Sequence, residues 1–234
     1  TVKAIEHRFA KEDENMREMP EEEEAVFLKF DEKGTNMPAS KYVIKLEINE
    51  LRTPDRSNVL SKNIELVVRG PEKICIIGAN GAGKTTLIRN IAQELLKRKD
   101  INAIYMPQMY EEEANLEKSP VDLLAKTGKK DEITMIRQYL GSLKFTPDEM
   151  EHPLRELSGG QKAKFMLLKM VLSGANVLIL DEPTRNFSPI TGPVIRNMLK
   201  EFPGAIISVS HDRKYIAEVC DKVYLLDRTG LHSE

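Results

Sequence analysis

The stretch that decides the fold is KICIIGANGAGKTTLIRN, residues 73–90. A short apolar run leads into a glycine-rich segment of the pattern G-x-x-x-x-G-K-[ST], and a run that favours a helix follows. In this order, bare backbone N–H groups and the positive end of a helix converge on one anion, which is how a P-loop binds phosphate. The alternative is a glycine-rich turn that matches the pattern by chance.

Each position of the loop has an expected contact. Lys84 is predicted to reach the β and γ phosphates, Thr85 to ligate Mg²⁺ and Thr86 to contact the α phosphate. The residues expected to line the phosphates through the loop itself are Gly78, Asn80, Gly81, Ala82 and Gly83.

The other apolar runs predict an α/β fold. VLILD (177–181) and AIISVS (205–210) are short and continuously apolar, as buried parallel strands are. YVIKLEIN (42–49) and NIELVV (63–68) partly alternate, which is typical of half-buried antiparallel strands, and AVFLKF (25–30) is also predicted as a strand. We therefore expect a mostly parallel core sheet with an antiparallel β subdomain.

A helical segment interrupts this pattern. Residues 121–143 look helical and lack a strand, so a helical subdomain at about 115–172 is predicted inside the α/β core. Towards its end, Ser158-Gly159-Gly160-Gln161 opens an amphipathic helix with Ser158 as a good N-cap. Its bare N–H groups suit a second anion site, whereas a simpler interpretation is a capped helix that begins with glycines.

Two carboxylates follow a predicted strand. Asp181 is expected to face Mg²⁺ through water, and Glu182 suits a general base that polarises the attacking water. A pair of exposed acids opening a turn at Pro183 is the structural alternative.

Composition limits the class of protein. The 234 residues include 35 basic and 37 acidic ones, so the net charge of −2 gives no general attraction to nucleic acid or an anionic membrane. Cys75 and Cys220 lie in apolar segments and are interpreted as small buried hydrophobes in a reducing cytoplasm. No apolar run approaches the length of a membrane span, so no direct membrane insertion is expected.

The motifs together resemble the ATP-binding cassette (ABC) ATPases. GANGAGKT, Gln108 in YMPQ, LSGGQ, VLILDEPT and SVSHD occur in that family's order over about residues 42–227. The resemblance implies a P-loop NTPase of the ABC type that hydrolyses ATP with Mg²⁺. It also implies that two cassettes pack head to tail, so that Ser158 and Gly160 act on the nucleotide of a partner cassette, from the same chain or a second copy.

Two further roles rest on the resemblance. Gln108 corresponds to the Q-loop glutamine near Mg²⁺ and the attacking water, and His211 to the switch histidine that contacts the γ-phosphate and orients water with Glu182.

The family's chromosome-maintenance branch is excluded, because the segment between Lys84 and Ser158 is too short for its coiled coil.

The branch it most resembles is that of the ABC-F translation factors. The short spacing from Lys84 to Gln108 and the SVSHDRKYI ending look like ABC-F proteins. Residues 1–24 look like the linker that precedes a second cassette at 25–234. This implies a nucleotide-driven clamp on the ribosome or its tRNA, in translation or antibiotic resistance.

Two alternatives stay open. One is the motor subunit of a transporter whose membrane part is a separate chain. The other is a binding module with a degenerate site, because Ser188 stands where the family's D-loop usually has Asp and residues 51–60 contain no aromatic residue to stack on adenine. Leu51 and Arg52 are the candidates to cover the base.

Overall fold

The structure, a computed structural model, describes residues 28–30, 35–110, 116–189 and 191–234. Residues 42–69 form a long hairpin in which β1 (Tyr42–Arg52) pairs antiparallel with β2 (Val59–Arg69). Buried and exposed residues alternate along β2, so that one face of the hairpin packs into the core. Both predicted antiparallel strands are confirmed, and each extends beyond the predicted bounds.

The described residues form a second sheet of six strands in the order β4-β5-β6-β3-β7-β8. Its strands are β3 (Lys73–Ile77), β4 (Ala103–Met106), β5 (Val177–Asp181), β6 (Ala205–Val209), β7 (Lys222–Leu226) and β8 (Leu231–Ser233). All neighbours pair in parallel except β7 and β8, which are antiparallel. The mostly parallel core sheet predicted from the apolar runs is therefore confirmed.

Helices cover this sheet. They are α1 (Lys84–Leu95), α2 (Pro120–Leu124), α3 (Lys130–Ser142), α4 (Pro147–Glu151), α5 (Gly159–Ser173), α6 (Thr191–Glu201) and α7 (Arg213–Val219), with a 3₁₀ turn at Leu154–Glu156. Helices α2 to α5 lie between β4 and β5 in the chain, which is the position predicted for a helical insertion.

The core has two parts, one on each face of the sheet. Along β5, Val177 and Ile179 face the part that contains α1 and the hairpin, while Leu178 and Leu180 face the part that contains α5 and the other helices. Because successive side chains of a strand point to opposite faces, a strand buried on both sides has to be apolar throughout. This explains the continuous apolar run of VLILD.

The segment predicted as helical, residues 121–143, is helical in the structure. It forms two helices, because the chain turns between α2 and α3. The Glu132 carboxylate accepts the backbone N–H groups of Lys126, Thr127 and Gly128, and Gly128 has a φ of 68°. These bonds stop α2 and start α3 at a defined angle.

The strand predicted at 25–30 is wrong for the part that the structure describes. Residues 28–30 have no regular structure, although Leu28 and Phe30 are buried. The Phe30 ring lies edge-on to Phe202 with their centroids 4.6 Å apart. Two inserted side chains with one exposed residue between them thus mimic the alternation of a strand. Residues 25–27 and the predicted linker, 1–24, lie outside the described residues.

Three strands were not predicted from the sequence: β4, β7 and β8. Both cysteines are free thiols, as expected, with Cys75 buried and Cys220 partly buried. Within the described parts of the chain, no helix has the length and apolar character that a bilayer crossing requires.

Candidate active site

A cavity of about 390 Å³ opens where β3, β5 and β6 end at their carboxyl sides. In a parallel sheet this edge is where ligands bind. The residues lining the cavity are Thr53, Leu60, Asn80, Gly81, Gly83, Lys84, Thr85, Thr86, Gln108, Asp181, Glu182, Val209 and His211. The predicted P-loop, the acidic pair, the glutamine and the histidine thus meet at one place.

Three residues that line the cavity were not predicted from the sequence. Thr53 and Leu60 come from the β1–β2 hairpin, and Val209 ends β6. Sequence reasoning had no signal for the first two, because their position depends on how the hairpin packs against the loop. Val209 carried a usable signal, since it lies at the carboxyl end of a predicted parallel strand.

Two glycines give the loop its close packing. Gly83 has a φ of 101° and is the N-cap of α1, and a Cβ there would lie 3.0 Å from Leu51 and 3.1 Å from Leu60. At Gly78, a Cβ would lie 2.5 Å from the carbonyl oxygen of Leu226. Both positions therefore exclude side chains, which lets the loop lie against the hairpin and β7.

Lys84 is held in place by the P-loop itself. Its Nζ donates to the carbonyl oxygens of Gly78 at 2.8 Å and Ala79 at 2.9 Å, and the residue is 8% exposed. Burial lowers the pKa of Lys84 below its ordinary value, although the charges of Glu182 and Asp181 oppose the shift. The side chain is thus a preorganised cation at the bottom of the cavity.

The acidic pair has two different environments. Asp181 ends β5 and is 1% exposed. Glu182 follows with a φ of 55°, while its backbone N–H donates to Val209 at 2.9 Å. Left-handed backbone at a non-glycine residue is strained, and such strain concentrates at functional sites. The Glu182 carboxylate faces His211, whose Nε2 lies 3.8 Å from Glu182 Oε1.

The segment after β6 fixes His211. Asp212 caps α7 by accepting the N–H groups of Lys214 and Tyr215, and it accepts the Thr184 hydroxyl at 2.9 Å. Burial raises the pKa of Asp212, but the Thr184 hydroxyl and the two N–H groups outweigh it and lower the pKa below its ordinary value. The His211 segment is therefore tied to the segment that follows Glu182.

Oxygen donors suitable for Mg²⁺ meet at the same edge. Thr85, Gln108 and Asp181 all line the cavity and offer a hydroxyl, an amide and a carboxylate. Mg²⁺ prefers such oxygen ligands and usually takes only one or two carboxylates, keeping waters and substrate phosphates as its other ligands. The donor set fits this ion, while the described residues hold no cluster of three or more His, Cys, Asp or Glu side chains that would form a closed metal site.

The Ser158–Gln161 turn lies elsewhere. None of its residues lines the cavity, nor do Gly78 or Ala82. The turn begins α5, where Ser158 Oγ accepts the Gln161 N–H at 3.3 Å and Gln161 Oε1 accepts the Ser158 N–H at 2.8 Å. Ser158 is the N-cap, as predicted, and Gly159 and Gly160 present open backbone with nothing within 4 Å of where a Cβ would be.

The D-loop position has a local structural role. The Ser188 Oγ accepts the Thr191 N–H at 3.2 Å and lies 2.9 Å from the Thr191 hydroxyl oxygen. Ser188 thus helps to start α6 by a hydroxyl contact, where the family pattern has a carboxylate.

Leu51 and Arg52, the two candidates to cover the base, lie in different environments. Leu51 is 1% exposed and packs inside the hairpin beside the P-loop, so that expectation is wrong for Leu51. Arg52 ends β1 and lines a second cavity of about 880 Å³ that Thr86 also lines.

The P-loop, the acidic pair at the sheet edge and the helical region between β4 and β5 define a nucleotide-binding cassette. Residues 61–185 match the family model described as "ABC transporter", and the chain belongs to this family. Its enzyme class is that of the ABC ATPases.

The chain is also similar in sequence to curated proteins from several organisms. It is 33% identical over 175 residues to "Probable ATP-binding protein YheS" of Escherichia coli K12, which covers 72% of this chain and 28% of that protein. It is 30% identical over 220 residues to "Protein GCN20" of Saccharomyces cerevisiae, covering 90% and 28%. It is 26% identical over 220 residues to "ABC transporter F family member 5" of Arabidopsis thaliana, covering 91% and 31%. The chain thus spans less than a third of these relatives' lengths.

A solved structure supports the fold. The chain is similar to the ATP-binding cassette MJ0796, a dimer in a post-hydrolysis state bound to ADP and Pi, with a TM-score of 0.66 and 17% identity. The similarity covers 82% of this chain and 98% of that one. At this level of identity it shows a shared fold.

Proposed function

We propose that this cassette binds ATP on its P-loop and hydrolyses it when a second cassette closes over the triphosphate. The observation that carries the proposal is the separation of two anion sites. Lys84 and the P-loop line the cavity, whereas the Ser158–Gln161 turn presents helix N-terminal donors outside it. A donor set that does not reach its own phosphate site is explained if it completes the site of a partner, and the dimeric state of MJ0796 supports that arrangement.

Within one site, each side chain then has a task. Lys84, already fixed by two carbonyl groups, neutralises the β and γ phosphates, and the P-loop N–H groups bind their oxygens. Thr86 contacts the α phosphate. Thr85, Gln108 and Asp181 would hold Mg²⁺, which supplies charge neutralisation across the phosphates.

Hydrolysis requires a positioned water. Glu182 accepts a proton from that water, and His211, beside it, contacts the γ-phosphate and keeps the carboxylate oriented. The partner's turn contributes the Ser158 hydroxyl and the N–H groups of Gly159 and Gly160 on the opposite side of the γ-phosphate. Water attack therefore becomes efficient only in the closed pair.

The base is assigned to the cavity lined by Arg52. Thr86, which contacts the α phosphate in this proposal, lines both the phosphate cavity and this second cavity. The ribose, which follows the α phosphate, is therefore expected to extend from the P-loop towards the second cavity. The Arg52 guanidinium is held by the Glu50 carboxylate at 2.7 Å and the Arg56 carbonyl at 3.3 Å. A fixed guanidinium plane stacks on a purine much as an aromatic ring does.

At the cellular level, we propose an ABC-F role: a clamp in the cytoplasm that engages the ribosome or tRNA and is released by hydrolysis, in translation or antibiotic resistance. The similarity to "ABC transporter F family member 5" and "Protein GCN20" supports this branch. The family description "ABC transporter" favours the second candidate, the motor subunit of a transporter. Retention of Lys84, Asp181, Glu182 and His211 in one cavity argues against a degenerate binding module.

The test of the clamp is the ATPase rate per molecule as a function of protein concentration. A rate that rises with concentration for this chain, and does not for a polypeptide carrying two cassettes, supports closure of a pair. A flat profile from a proven monomer with full turnover would exclude it. ATP-dependent co-sedimentation with ribosomes supports the ABC-F branch, whereas co-purification with a membrane protein supports the transporter.

A further inference from the structure

Two capping boxes lie next to each other in the helical region. At the start of α4, the Thr146 N–H donates to Glu149 Oε2 at 2.8 Å and the Glu149 N–H donates to Thr146 Oγ1 at 3.3 Å. At the start of α5, Ser158 and Gln161 make the same reciprocal pair. Each box fixes the first turn of its helix by satisfying N–H groups that have no partner within the helix.

One hydrogen bond joins the two boxes. Gln161 Nε2 donates to Glu149 Oε1, while Gln161 Oε1 accepts the Ser158 N–H. The amide of Gln161 is therefore held at both ends, and both residues are partly buried. The Glu149 carboxylate uses one oxygen for its own helix and the other for the turn of the next helix.

This network determines which donors of the turn point outward. The Ser158 N–H is used by Gln161, and Ser158 Oγ accepts from the Gln161 N–H, so the hydroxyl proton is left to donate away from the helix. The N–H groups of Gly159 and Gly160 are first-turn donors on open backbone. These are the three donors of the turn that the capping-box bonds leave for an incoming phosphate.

We propose that Glu149 is a positioning residue for phosphate capture by the Ser158–Gln161 turn. The proposal rests on the cross-cassette function above. An acidic side chain next to an anion site repels the anion. The position of Glu149 therefore requires an explanation other than direct contact with phosphate. Here it fixes Gln161, and Gln161 fixes the hydroxyl that donates to the phosphate. In this role Glu149 acts through Gln161 and does not bind the phosphate itself.

The experiment measures ATP-dependent association of the cassette by sedimentation velocity in a Glu182→Gln background, which separates closure from turnover. Glu149→Ala is expected to weaken association about tenfold, the effect of losing one charge-assisted hydrogen bond. The affinity of the P-loop for ATP at low protein concentration is expected to stay the same, because Glu149 does not line that cavity.

Thr146→Ala is the matched control. It removes the other half of the α4 capping box and leaves the Glu149–Gln161 hydrogen bond in place. Both variants are expected to lower the melting temperature by similar amounts, but only Glu149→Ala weakens association. Equal effects of the two variants on association would show that Glu149 acts through α4 alone and would overturn the proposal.

Glu149→Gln covers the case in which Glu149→Ala does not fold. It retains one acceptor oxygen for Gln161 and is expected to associate within about threefold of the parent, while Gln161→Leu, which removes the bridging amide, is expected to weaken association about tenfold. Association of Gln161→Leu equal to that of the parent overturns the proposal. If the parent itself does not associate with ATP, the proposed function fails instead, so the two failures are distinguishable.

Discussion

His211 faces Glu182 with both its ring and its backbone. His211 Nε2 lies 3.8 Å from Glu182 Oε1, and the His211 N–H donates to Glu182 Oε2 at 3.4 Å. Neither contact is short, so each can tighten when a phosphate and a water enter. The side chain of Glu182 is 13% exposed and that of His211 is 52% exposed, which puts the carboxylate inside and the imidazole at the entrance.

Removing the charge of Glu182 tests its role as the base. Glu182→Gln keeps the shape of the side chain but cannot accept a proton, and we expect turnover to fall by about 100-fold or more with ATP still bound. Steady-state hydrolysis and equilibrium binding of a fluorescent ATP analogue measure the two effects. Glu65→Gln, at an exposed position of β2, is the control and is expected to leave both unchanged. Unchanged turnover in Glu182→Gln would exclude this glutamate as the base.

His211→Ala separates orientation from proton transfer. The variant leaves the Glu182 carboxylate in place but removes the ring that faces it, so we expect a loss of kcat of about 10- to 100-fold. The control is His152→Ala, because His152 is also exposed and also lies 3.9 Å from a glutamate, Glu156. A similar kcat for the two variants would mean that the His211 ring takes no part in hydrolysis.

Part of this site could be predicted from the sequence, and part could not. The P-loop and the acids at the end of β5 were predictable, because each is a local motif whose residues follow one another in a single short segment. The contact of Thr53 and Leu60 with the loop was not, since it depends on the packing of a hairpin that is separate in sequence. Leu51 failed as a base contact for the same reason: near the end of β1 its side chain packs into the core, while the next side chain, that of Arg52, lies at the surface.

Gly83 and Gly128 allow backbone strain to be separated from steric fit. Both have positive φ, 101° and 68°, but a Cβ at Gly83 would lie 3.0 Å from Leu51 whereas Gly128 has nothing within 4 Å. We expect Gly128→Ala to destabilise by about 1 kcal/mol and Gly83→Ala by about 2–3 kcal/mol with loss of ATP binding. Denaturant unfolding measures this difference. Equal destabilisation of the two variants would show that the P-loop accommodates a methyl group at position 83 at no additional cost in free energy.

Glu132 predicts a defined acid dependence. The Thr127 hydroxyl and the N–H groups of Lys126, Thr127 and Gly128 lower its pKa from the ordinary 4.5 to about 2. The stabilisation is complete above pH 4.5 and is lost as the pH falls towards 2, because the carboxyl then protonates in the folded state as well. Glu132→Gln should therefore lower stability at pH 6, and the difference from the parent should shrink at pH 3.5. A difference that is independent of pH would show that the charge of Glu132 does not contribute.

Arg52 tests where the base lies. If the guanidinium stacks on the purine, Arg52→Ala weakens ATP binding about fivefold and Arg52→Tyr, which restores a flat surface, recovers most of the affinity. Because stacking on a guanidinium does not read the edge of the base, GTP is expected to bind within about tenfold of ATP. Arg137→Ala removes an exposed arginine that pairs with Glu151 on α4 and should change neither affinity. If Arg52→Ala binds ATP as the parent does, the base lies instead in the adjoining cavity of about 590 Å³ lined by Asn58 and Arg228, since that cavity also shares the loop residues Asn80 and Gly81 with the phosphate site.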